Sequence, residues 1–328
     1  MTGPFADLAG LDRADPRVYE DPELFAAEME RVFGRTWLYV GHESQLASPG
    51  DFIEAFMGAR SVIAARHGDG SLRVFLNRCT HRSMKVCSSR RGSRSRFVCP
   101  YHGWTFGTDG GLVEVPARKG GNGRVAAGDP SLALAPVARI AAYRGFVFAN
   151  WSADGPALDD WLGPAAQAID AMLALAPAGE AVPDGLALRE RVPGNWKLYA
   201  AGARGLAGRI AERLSRRQLP NAGTFADGAT QTPAVFLWPN LLLLPAWRQF
   251  HLFQPAAADV TVVHSTAFAL AGAPDAVNRQ AAQALALPLA DEAPPPAGPG
   301  AAPRFWANWA AAMEDTARCL PKDAAEVL

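Results

Sequence analysis

Two short arms of the sequence combine cysteine and histidine at close spacing. The first arm reads Cys79-Thr-His81, and the second, after seventeen intervening residues, reads Cys99-Pro-Tyr-His102. A Rieske-type [2Fe–2S] cluster needs two thiolates on one iron and two imidazoles on the other. Because each arm supplies one ligand of each kind, the two arms together provide the whole ligand set for such a cluster.

The alternative for the same four residues is a tetrahedral Cys2His2 zinc site. Zinc modules usually pair like ligands within one arm, whereas both arms here are mixed, which favours the Rieske cluster. The two remaining cysteines, Cys87 and Cys319, are single and are predicted to be small buried apolar groups. Four cysteines are also too few for a disulfide scaffold in a chain of 328 residues.

The elements that position the arms are predicted to be β-strands. Over residues 37–151, short apolar segments alternate with Gly, Asp and Ser turns, which is typical of an antiparallel β domain. Both arms then lie on loops at strand ends. Pro100 and Gly103 suit a tight loop that turns backbone N–H groups towards the cluster sulfides.

The composition of the chain excludes several classes of function. Hydrophobic residues make up 49% and charged residues 20%, and the 32 basic residues balance the 32 acidic ones. This is the composition of a globular chain, with no net charge to attract nucleic acid or a membrane surface. The longest apolar run, 236–247, is broken by prolines and an asparagine, so it is predicted not to span a membrane. With no export signal visible, we expect a cytoplasmic protein.

The rest of the chain is predicted to be mixed. Asp21 as N-cap, Pro22 as first helical residue and Gly34 as stop indicate an N-terminal helix. Helices are also predicted over 156–175, 197–217, 271–287 and 306–318, and β-like runs over 234–238, 241–245, 249–254 and 260–270. The intervening segments 177–183 and 288–303 are rich in proline or glycine and are predicted to be a linker and an irregular strap. The predicted organisation is a helical segment (1–36), a cluster domain (37–158), a helix with linker (159–185) and a final domain (186–328).

Around the two arms the sequence resembles a known family. Residues 77–82 and 99–106 are similar to the Rieske motifs of bacterial aromatic ring-hydroxylating oxygenase large (α) subunits, and the flanking ranges 35–44, 49–52 and 143–148 agree. Benzoate- and anthranilate-type members look closest. One departure is Ser83, where the family usually has glycine after His-Arg.

The resemblance implies an α+β fold: a Rieske antiparallel β domain followed by a helix-grip (START/Bet v1-like) domain, here shortened. It places Arg82, Pro100, Tyr101 and Trp104 around the cluster. It also implies a ferredoxin or reductase as electron donor and a trimeric or hexameric assembly of α subunits, with or without a small β subunit.

The family's second metal is a mononuclear iron(II), held by two histidines and a carboxylate. The helix that supplies them follows an Asn-Trp-Lys-Leu signature, found here at 195–198. Laid on the family motif, the bridging aspartate becomes Gly205, the first ligand histidine becomes Gly208 and the second becomes Arg213. No histidine lies between His102 and His251. The mononuclear iron is therefore expected to be absent.

Other residues could rebuild that site. His251 and His264 lie on two β-like runs with a short connection, so a hairpin could place them side by side, with Asp315 or Glu314 as the carboxylate. The simpler interpretation is that both are ordinary strand residues, as His42 and His67 are expected to be structural. The run 236–244 is likewise predicted to be core strand.

The predicted helix 197–217, which carries Gly205 and Gly208 at the iron-ligand positions, is strongly basic. It has arginines at 204, 209, 213, 216 and 217. A solvated helix face explains this most simply, and a subunit contact or a carboxylate-binding patch is the alternative.

The sequence thus predicts an electron-transferring accessory α-type subunit, catalytically silent at its own iron site, that works beside a second, His-complete α subunit. The alternatives are an active terminal oxygenase with rearranged iron ligands, and a stand-alone Rieske electron carrier or ligand-binding module.

Overall fold

The chain divides into two compact units. A computed structural model describes residues 4–9, 14–116, 127–216, 234–285, 303–314 and 325–327. The smaller unit is Leu38–Ala153, and the larger one combines Met1–Trp37 with Asp154–Leu328. The smaller unit therefore interrupts the larger one along the sequence, and together they give the mixed α+β class.

The smaller unit is built of short antiparallel strands, as predicted for 37–151. Three sheets are present among its described residues, with the orders β1-β10-β9, β4-β3-β2-β5 and β6-β7-β8. Their strands are β1 Leu38–His42, β2 Asp51–Met57, β3 Arg60–Arg66, β4 Leu72–Leu76, β5 Arg91–Ser93, β6 Arg96–Val98, β7 Thr105–Gly107, β8 Leu112–Glu114, β9 Arg139–Tyr143 and β10 Phe146–Asn150.

An aromatic core lies beneath the strands that carry the two arms. Phe52, Phe75 and Phe97 are buried, and Phe97 contacts the other two edge to face, with ring centroids 5.2 and 5.9 Å apart. Cys79 and Cys99 belong to the same buried cluster. Both thiols are therefore anchored in the hydrophobic core of the unit.

The larger unit contains a six-stranded antiparallel sheet with the order β11-β15-β14-β13-β12-β16. Its strands are β11 Ala181–Pro193, β12 Val235–Leu237, β13 Leu241–Leu244, β14 Gln249–Ala257, β15 Val260–Leu270 and β16 Ala325–Val327. Its helices are α1 Pro4–Ala9, α2 Arg17–Glu20, α3 Pro22–Arg31, α4 Leu158–Leu162, α5 Pro164–Leu173, α6 Trp196–Ala201, α7 Ala203–Arg216, α8 Asp275–Leu285 and α9 Pro303–Met313. None of the described helices is long and apolar enough to cross a membrane.

The four β-like runs predicted over 234–270 are strands β12 to β15, but β11 was missed. The first residues of β11 fall in the predicted linker 177–183, whose proline and glycine content argues against a strand. The strand tolerates Pro183 and Gly185 because it lies at the sheet edge and its pairing with β15 shifts register between Pro183 and Ala187. Of the proline-rich segment 288–303, only Pro303, the first residue of α9, is described.

The predicted N-cap of α3 is confirmed. The Asp21 carboxylate accepts hydrogen bonds from the backbone N–H groups of Glu23 and Leu24, at 2.8 and 3.3 Å. The helix ends at Arg31, before the glycine predicted to stop it at position 34.

Helix α3 also carries a fully buried carboxylate, Glu28, that ties it to α6 and α9. The Lys197 ammonium lies 2.5 Å from Glu28 Oε1, and Trp309 Nε1 donates to the same oxygen at 2.8 Å. Trp196 Nε1 donates to Oε2 at 2.9 Å. The adjacent Asn195 caps α6 and donates from Nδ2 to the carbonyl oxygens of Tyr19 and Ala258. Residues 195–197, the Asn-Trp-Lys part of the signature, therefore fix the start of α6 through these hydrogen bonds.

Candidate metal centre

The two cysteine–histidine arms fold into loops with the same backbone pattern. In the first loop, Cys79 N–H donates to the Met84 carbonyl at 2.8 Å, and Ser83 N–H donates to the Cys79 carbonyl at 2.8 Å. In the second loop, Cys99 N–H donates to the Trp104 carbonyl at 2.8 Å, and Gly103 N–H to the Cys99 carbonyl at 3.0 Å. Each cysteine therefore opens a tight turn that brings the histidine of the same arm back beside it.

Both turns require a left-handed residue at the same place. The residue four positions after the cysteine has φ +57° at Ser83 and φ +72° at Gly103. A Cβ at Gly103 would lie 2.8 Å from Pro116 Cγ, so only glycine fits the second turn without displacement. The first turn accepts serine at this position, with the backbone strain that a side chain brings there. Ser83, which stands where the family usually has glycine, therefore occupies the left-handed position of the first turn.

Asn77 holds the first ligand loop in place through side-chain hydrogen bonds. Its buried side chain accepts hydrogen bonds at Oδ1 from the N–H groups of Val86 and Cys87, at 3.1 and 2.9 Å. Its Nδ2 donates to the Cys87 carbonyl at 2.8 Å and to Ser61 Oγ at 3.2 Å. Asn77 is the first residue of the motif 77–82, and the motif alone gives no role for its side chain. A polar residue close before a ligand cysteine was the available signal.

The four predicted ligands form two like pairs. Cys79 and Cys99 are only 2% and 3% exposed and lie in the core. His81 and His102 are partly buried, and their ring centroids are 4.7 Å apart at an interplanar angle of 63°. Thiols are thus grouped in the core and imidazoles nearer the surface.

Aromatic side chains hold the two imidazoles in place. The Trp104 ring stacks on His81 at 4.8 Å, only 5° from parallel, and Tyr101 contacts His102 at 3.9 Å. Of the four residues expected around the cluster, these two therefore contact ligand rings. Arg82 directs its backbone N–H at the Cys79 sulfur while its side chain is exposed, and Pro100 is exposed.

The environment of Cys79 suits a bound cation. Burial raises the pKa of the Cys79 thiol, and the neighbouring Cys99 sulfur raises it further. The N–H groups of His81 and Arg82 act in the opposite direction. Two adjacent buried sulfurs become thiolates together only when positive charge such as iron compensates them. Two thiols and two imidazoles, paired by kind, fit the donor set of a Rieske cluster.

Cys87 and two other histidines lie apart from these four ligands. Cys87 is buried in the same core, and its sulfur faces the Ser89 carbonyl at 3.7 Å. His67 Nδ1 lies 2.8 Å from Thr108 Oγ1. His42 accepts from the Ser44 N–H and caps the turn Glu43–Leu46. Cys319 lies outside the described residues.

Helix α7 contains the positions where the family motif has its iron ligands. Among residues 203–210, the part of α7 whose burial is described, the buried ones are Ala203, Leu206, Ala207 and Ile210. Gly205 and Gly208 are exposed, and a Cβ added at Gly208 would meet nothing within 4 Å. Arg213 lies in the C-terminal half of the same helix. The structure therefore turns positions 205 and 208 away from the buried side of α7.

The suggested replacement pair of histidines does not converge. His251 and His264 lie on the β14–β15 hairpin, but His251 pairs with Ser265 and His264 pairs with Leu252. Because successive residues of a strand alternate between faces, the two imidazoles lie on opposite faces of the sheet. The alternative in which the hairpin brings them side by side is therefore not the arrangement found, and the simpler interpretation as strand residues fits. Asp315 lies outside the described residues, and among the described ones no three His, Cys, Asp or Glu side chains could hold one metal ion.

His251 is buried on its face of the sheet, beside the polar side chain of Ser265. Its Nδ1 lies 2.8 Å from Ser265 Oγ, and burial lowers its pKa to about 4. His251 Nε2 and Gln249 Nε2 are buried without a hydrogen-bond partner among the described residues. His264 Nε2, on the other face, lies 2.6 Å from Gln254 Oε1.

Comparison with known proteins agrees with this geometry. Residues 36–136 match the Rieske [2Fe-2S] domain. The chain is 44% identical over 205 residues to the chlorobenzene dioxygenase α subunit of Cupriavidus sp. (strain PS12), covering 61% of this chain and 43% of that protein. It is 41% identical over 228 residues to the biphenyl dioxygenase α subunit of Metapseudomonas furukawaii, covering 64% and 50%. The chain spans about half the length of these relatives.

The fold also matches solved structures over nearly the whole chain. Naphthalene 1,2-dioxygenase with indole bound superposes with a TM-score of 0.72 at 24% identity, over 98% of this chain and 84% of that one.

Residues 36–136 are therefore a Rieske [2Fe–2S] domain. Over the matched residues the chain is similar to α subunits of aromatic-ring dioxygenases. The relatives named here are chlorobenzene and biphenyl dioxygenase α subunits, whereas the motifs in the sequence were expected to be most like those of benzoate- and anthranilate-type members.

Proposed function

We propose that this chain is an electron-transferring α-type subunit of an aromatic ring-hydroxylating oxygenase. The observation that carries the proposal is the convergence of Cys79, His81, Cys99 and His102 as one thiol pair and one imidazole pair. These residues would hold a [2Fe–2S] cluster, which supplies one-electron transfer when bound. A ferredoxin or reductase would be the donor, and a small β subunit a further partner.

The surrounding residues prepare the site for this task. Trp104 and Tyr101 fix the planes of the two ligand imidazoles. Asn77 and the paired turns fix the backbone of the first loop and of both turns around the ligands. Imidazole ligation places the reduction potential at roughly −150 to +300 mV, against about −400 mV for all-cysteine plant-type ferredoxins.

Electron paramagnetic resonance of the reduced protein tests the proposal. We expect the low average g value of mixed histidine and cysteine ligation, and a lower potential in His102→Cys, because a thiolate adds negative charge beside the iron. A spectrum of the all-cysteine type, or a colourless zinc protein, would contradict the proposal.

The finer proposal concerns the larger unit, which we take to be a shortened helix-grip domain. We propose that it is catalytically silent at its own mononuclear iron site and serves beside a His-complete α subunit in a trimer or hexamer. Glycines at 205 and 208, the arginine at 213 and the lack of histidine from 103 to 250 support silence.

The alternative is an active terminal oxygenase with rearranged iron ligands. The relatives named as dioxygenase α subunits favour this alternative more directly than silence. The opposite faces of His251 and His264 speak against that pair as the ligands.

Iron quantification separates the two proposals. The purified chain should contain two irons if it is silent and three if it is active. Turnover of an aromatic substrate by the isolated chain with a competent reductase would overturn silence. Co-purification with a second α-type chain would support the accessory role.

A further inference from the structure

The two ligand loops connect their strands in different ways. The second loop joins β6 to β7, which pair directly, with Val98 opposite Thr105 at the base of the loop. The first loop lies in the connection 77–90 between β4 and β5, which are the two edges of their sheet and are separated by β3 and β2. Strand pairing therefore holds the ends of the second loop together, whereas the first connection needs other contacts to hold it in place.

A buried carboxylate on β2 supplies one of these contacts. Glu54 Oε1 lies 2.5 Å from the Lys85 ammonium, and only 5% of the Glu54 side chain is exposed. In the Arg73–Asp69 pair of the same unit, the carboxylate is 52% exposed. Burying a carboxylate is unfavourable unless hydrogen bonds and an opposite charge compensate it. The Glu54–Lys85 pair should therefore hold the connection more firmly than a surface ion pair would.

Glu54 also reaches both ends of the same connection. At its start, Ser61 Oγ on β3 donates to Glu54 Oε1 at 2.7 Å, and Asn77 Nδ2 donates to Ser61 Oγ at 3.2 Å. These hydrogen bonds run in one direction, from amide to hydroxyl to carboxylate, so each polarises the next. At its end, the Glu54 N–H donates to the Arg90 carbonyl at 2.7 Å. One residue of β2 thus contacts the middle and the end of the connection directly and its start through one hydroxyl.

Lys85 lies between the two residues that fix the first ligand turn. On one side, the Met84 carbonyl accepts the Cys79 N–H at 2.8 Å. On the other side, the Val86 N–H donates to Asn77 Oδ1 at 3.1 Å. The position of the Cys79 turn therefore depends on the buried carboxylate to which the lysine is bound.

We propose that Glu54 is a positioning residue for the cluster, whose buried carboxylate keeps the first ligand turn, and with it Cys79 and His81, in place for iron. The inference rests on the proposed function and adds a residue to the same site. Replacing residues that hold metal ligands without touching the metal typically changes metal affinity or activity by about 10–100-fold.

Iron release from the cluster-loaded protein to a ferrous-iron chelator, under reducing conditions, tests the proposal. Glu54→Gln keeps the size of the side chain and an oxygen that can accept from Ser61, but it removes the charge that pairs with Lys85. We expect this variant to release iron at least about tenfold faster than the wild type. Its reduction potential should also be higher, because a negative charge is removed from the surroundings of the cluster.

Variants of Lys85 test whether the charge pair is the route. Lys85→Met should release iron about as fast as Glu54→Gln, and Lys85→Arg, which keeps the charge, should stay close to the wild type. Because both substitutions remove the same contact, the double variant Glu54→Gln/Lys85→Met should be no faster than the faster single one. Effects that multiply in the double variant would show that the two residues act separately and would overturn the proposal. Since Lys85 is 44% exposed, Lys85→Met also carries the test if Glu54→Gln takes up no cluster.

Val147→Ala is the matched control, since Val147 is fully buried in the same unit but lies on β10 of another sheet. It should lower the melting temperature without changing iron release or reduction potential. Iron release from Glu54→Gln no faster than from this control at an equal folded fraction, or an unchanged potential, would overturn the proposal. A wild-type protein without a Rieske spectrum would instead overturn the proposed function.

Discussion

Replacing Lys197 by methionine should destabilise the larger unit more than any exposed charge change. The Glu28 carboxylate and the Lys197 ammonium are both fully buried, 2.5 Å apart. Methionine keeps most of the apolar stem of lysine and removes only the charge. Glu28 would then retain two neutral donors, Trp196 Nε1 and Trp309 Nε1.

The expected loss of folding stability follows from the burial of both charges. Removing one partner of a buried ion pair leaves an uncompensated charge and costs about 3–5 kcal/mol. Burial already lowers the pKa of Lys197 against the opposing effect of Glu28, so the pair is stable only because each charge faces the other. In the double variant Glu28→Gln/Lys197→Met, neither charge remains, and the introduced amide oxygen can still accept from a tryptophan. We therefore expect the double variant to recover most of the loss.

Urea unfolding followed by circular dichroism at 222 nm measures the effect, because every described α-helix lies in the larger unit. Visible absorbance of the cluster follows the smaller unit separately and should not change. Arg279→Met is the control, since the Arg279–Asp275 pair on α8 lies in the same unit, is largely exposed on both sides and should contribute less than about 1 kcal/mol. If Lys197→Met lost no more stability than this control, or if the double variant were worse than the single one, the reasoning would be refuted.

Further predictions concern the turns and two buried histidines. Ser83→Gly should stabilise the smaller unit by about 0.5–1 kcal/mol by relieving the left-handed strain at φ +57°, measured as a higher melting temperature; a lower one would contradict this. Gly103→Ala should destabilise the same unit by about 1–3 kcal/mol in the same assay, because its Cβ meets Pro116. Burial lowers the pKa of both His42 and His251 to about 4, so each is neutral in the folded state. Between about pH 6.5 and 4 the unfolded chain binds more protons, so stability should fall with falling pH, by up to about 3 kcal/mol per histidine. Urea midpoints against pH measure this, and His251→Gln should reduce the slope for the larger unit only.

The sequence points clearly to the cluster site because its candidate ligands are chemically rare and lie close together along the chain. The turns that position them were harder to predict. The role of Ser83 became clear only from its positive φ, and the role of Asn77 only from hydrogen bonds across ten residues. The second loop has Gly103 at the position where the first tolerates serine, and sequence spacing alone does not show this equivalence.

In the larger unit the existence of strands β12 to β15 was predictable, but the face on which each side chain lies was not. Apolar runs indicated β14 and β15, and the short connection indicated their hairpin. Which residues face each other depends on register, and a shift of one residue moves a side chain to the other face. His251 and His264 are offset in this way. Strand β11 was missed because its proline and glycine are tolerated only at an irregular sheet edge, which requires knowledge of the neighbouring strand.

The buried pair of Glu28 and Lys197 has a consequence for synthesis on the ribosome. The two residues are 169 positions apart, and the entire smaller unit is encoded between them. At typical translation rates of about 5–20 residues per second, Glu28 is made about 10–30 s before its lysine. The smaller unit is complete in sequence during this interval and can fold first, as N-terminal domains generally do. Glu28 on the N-terminal helix α3 therefore has no lysine partner during this interval. Lys197 emerges only after the iron–sulfur domain has left the ribosome.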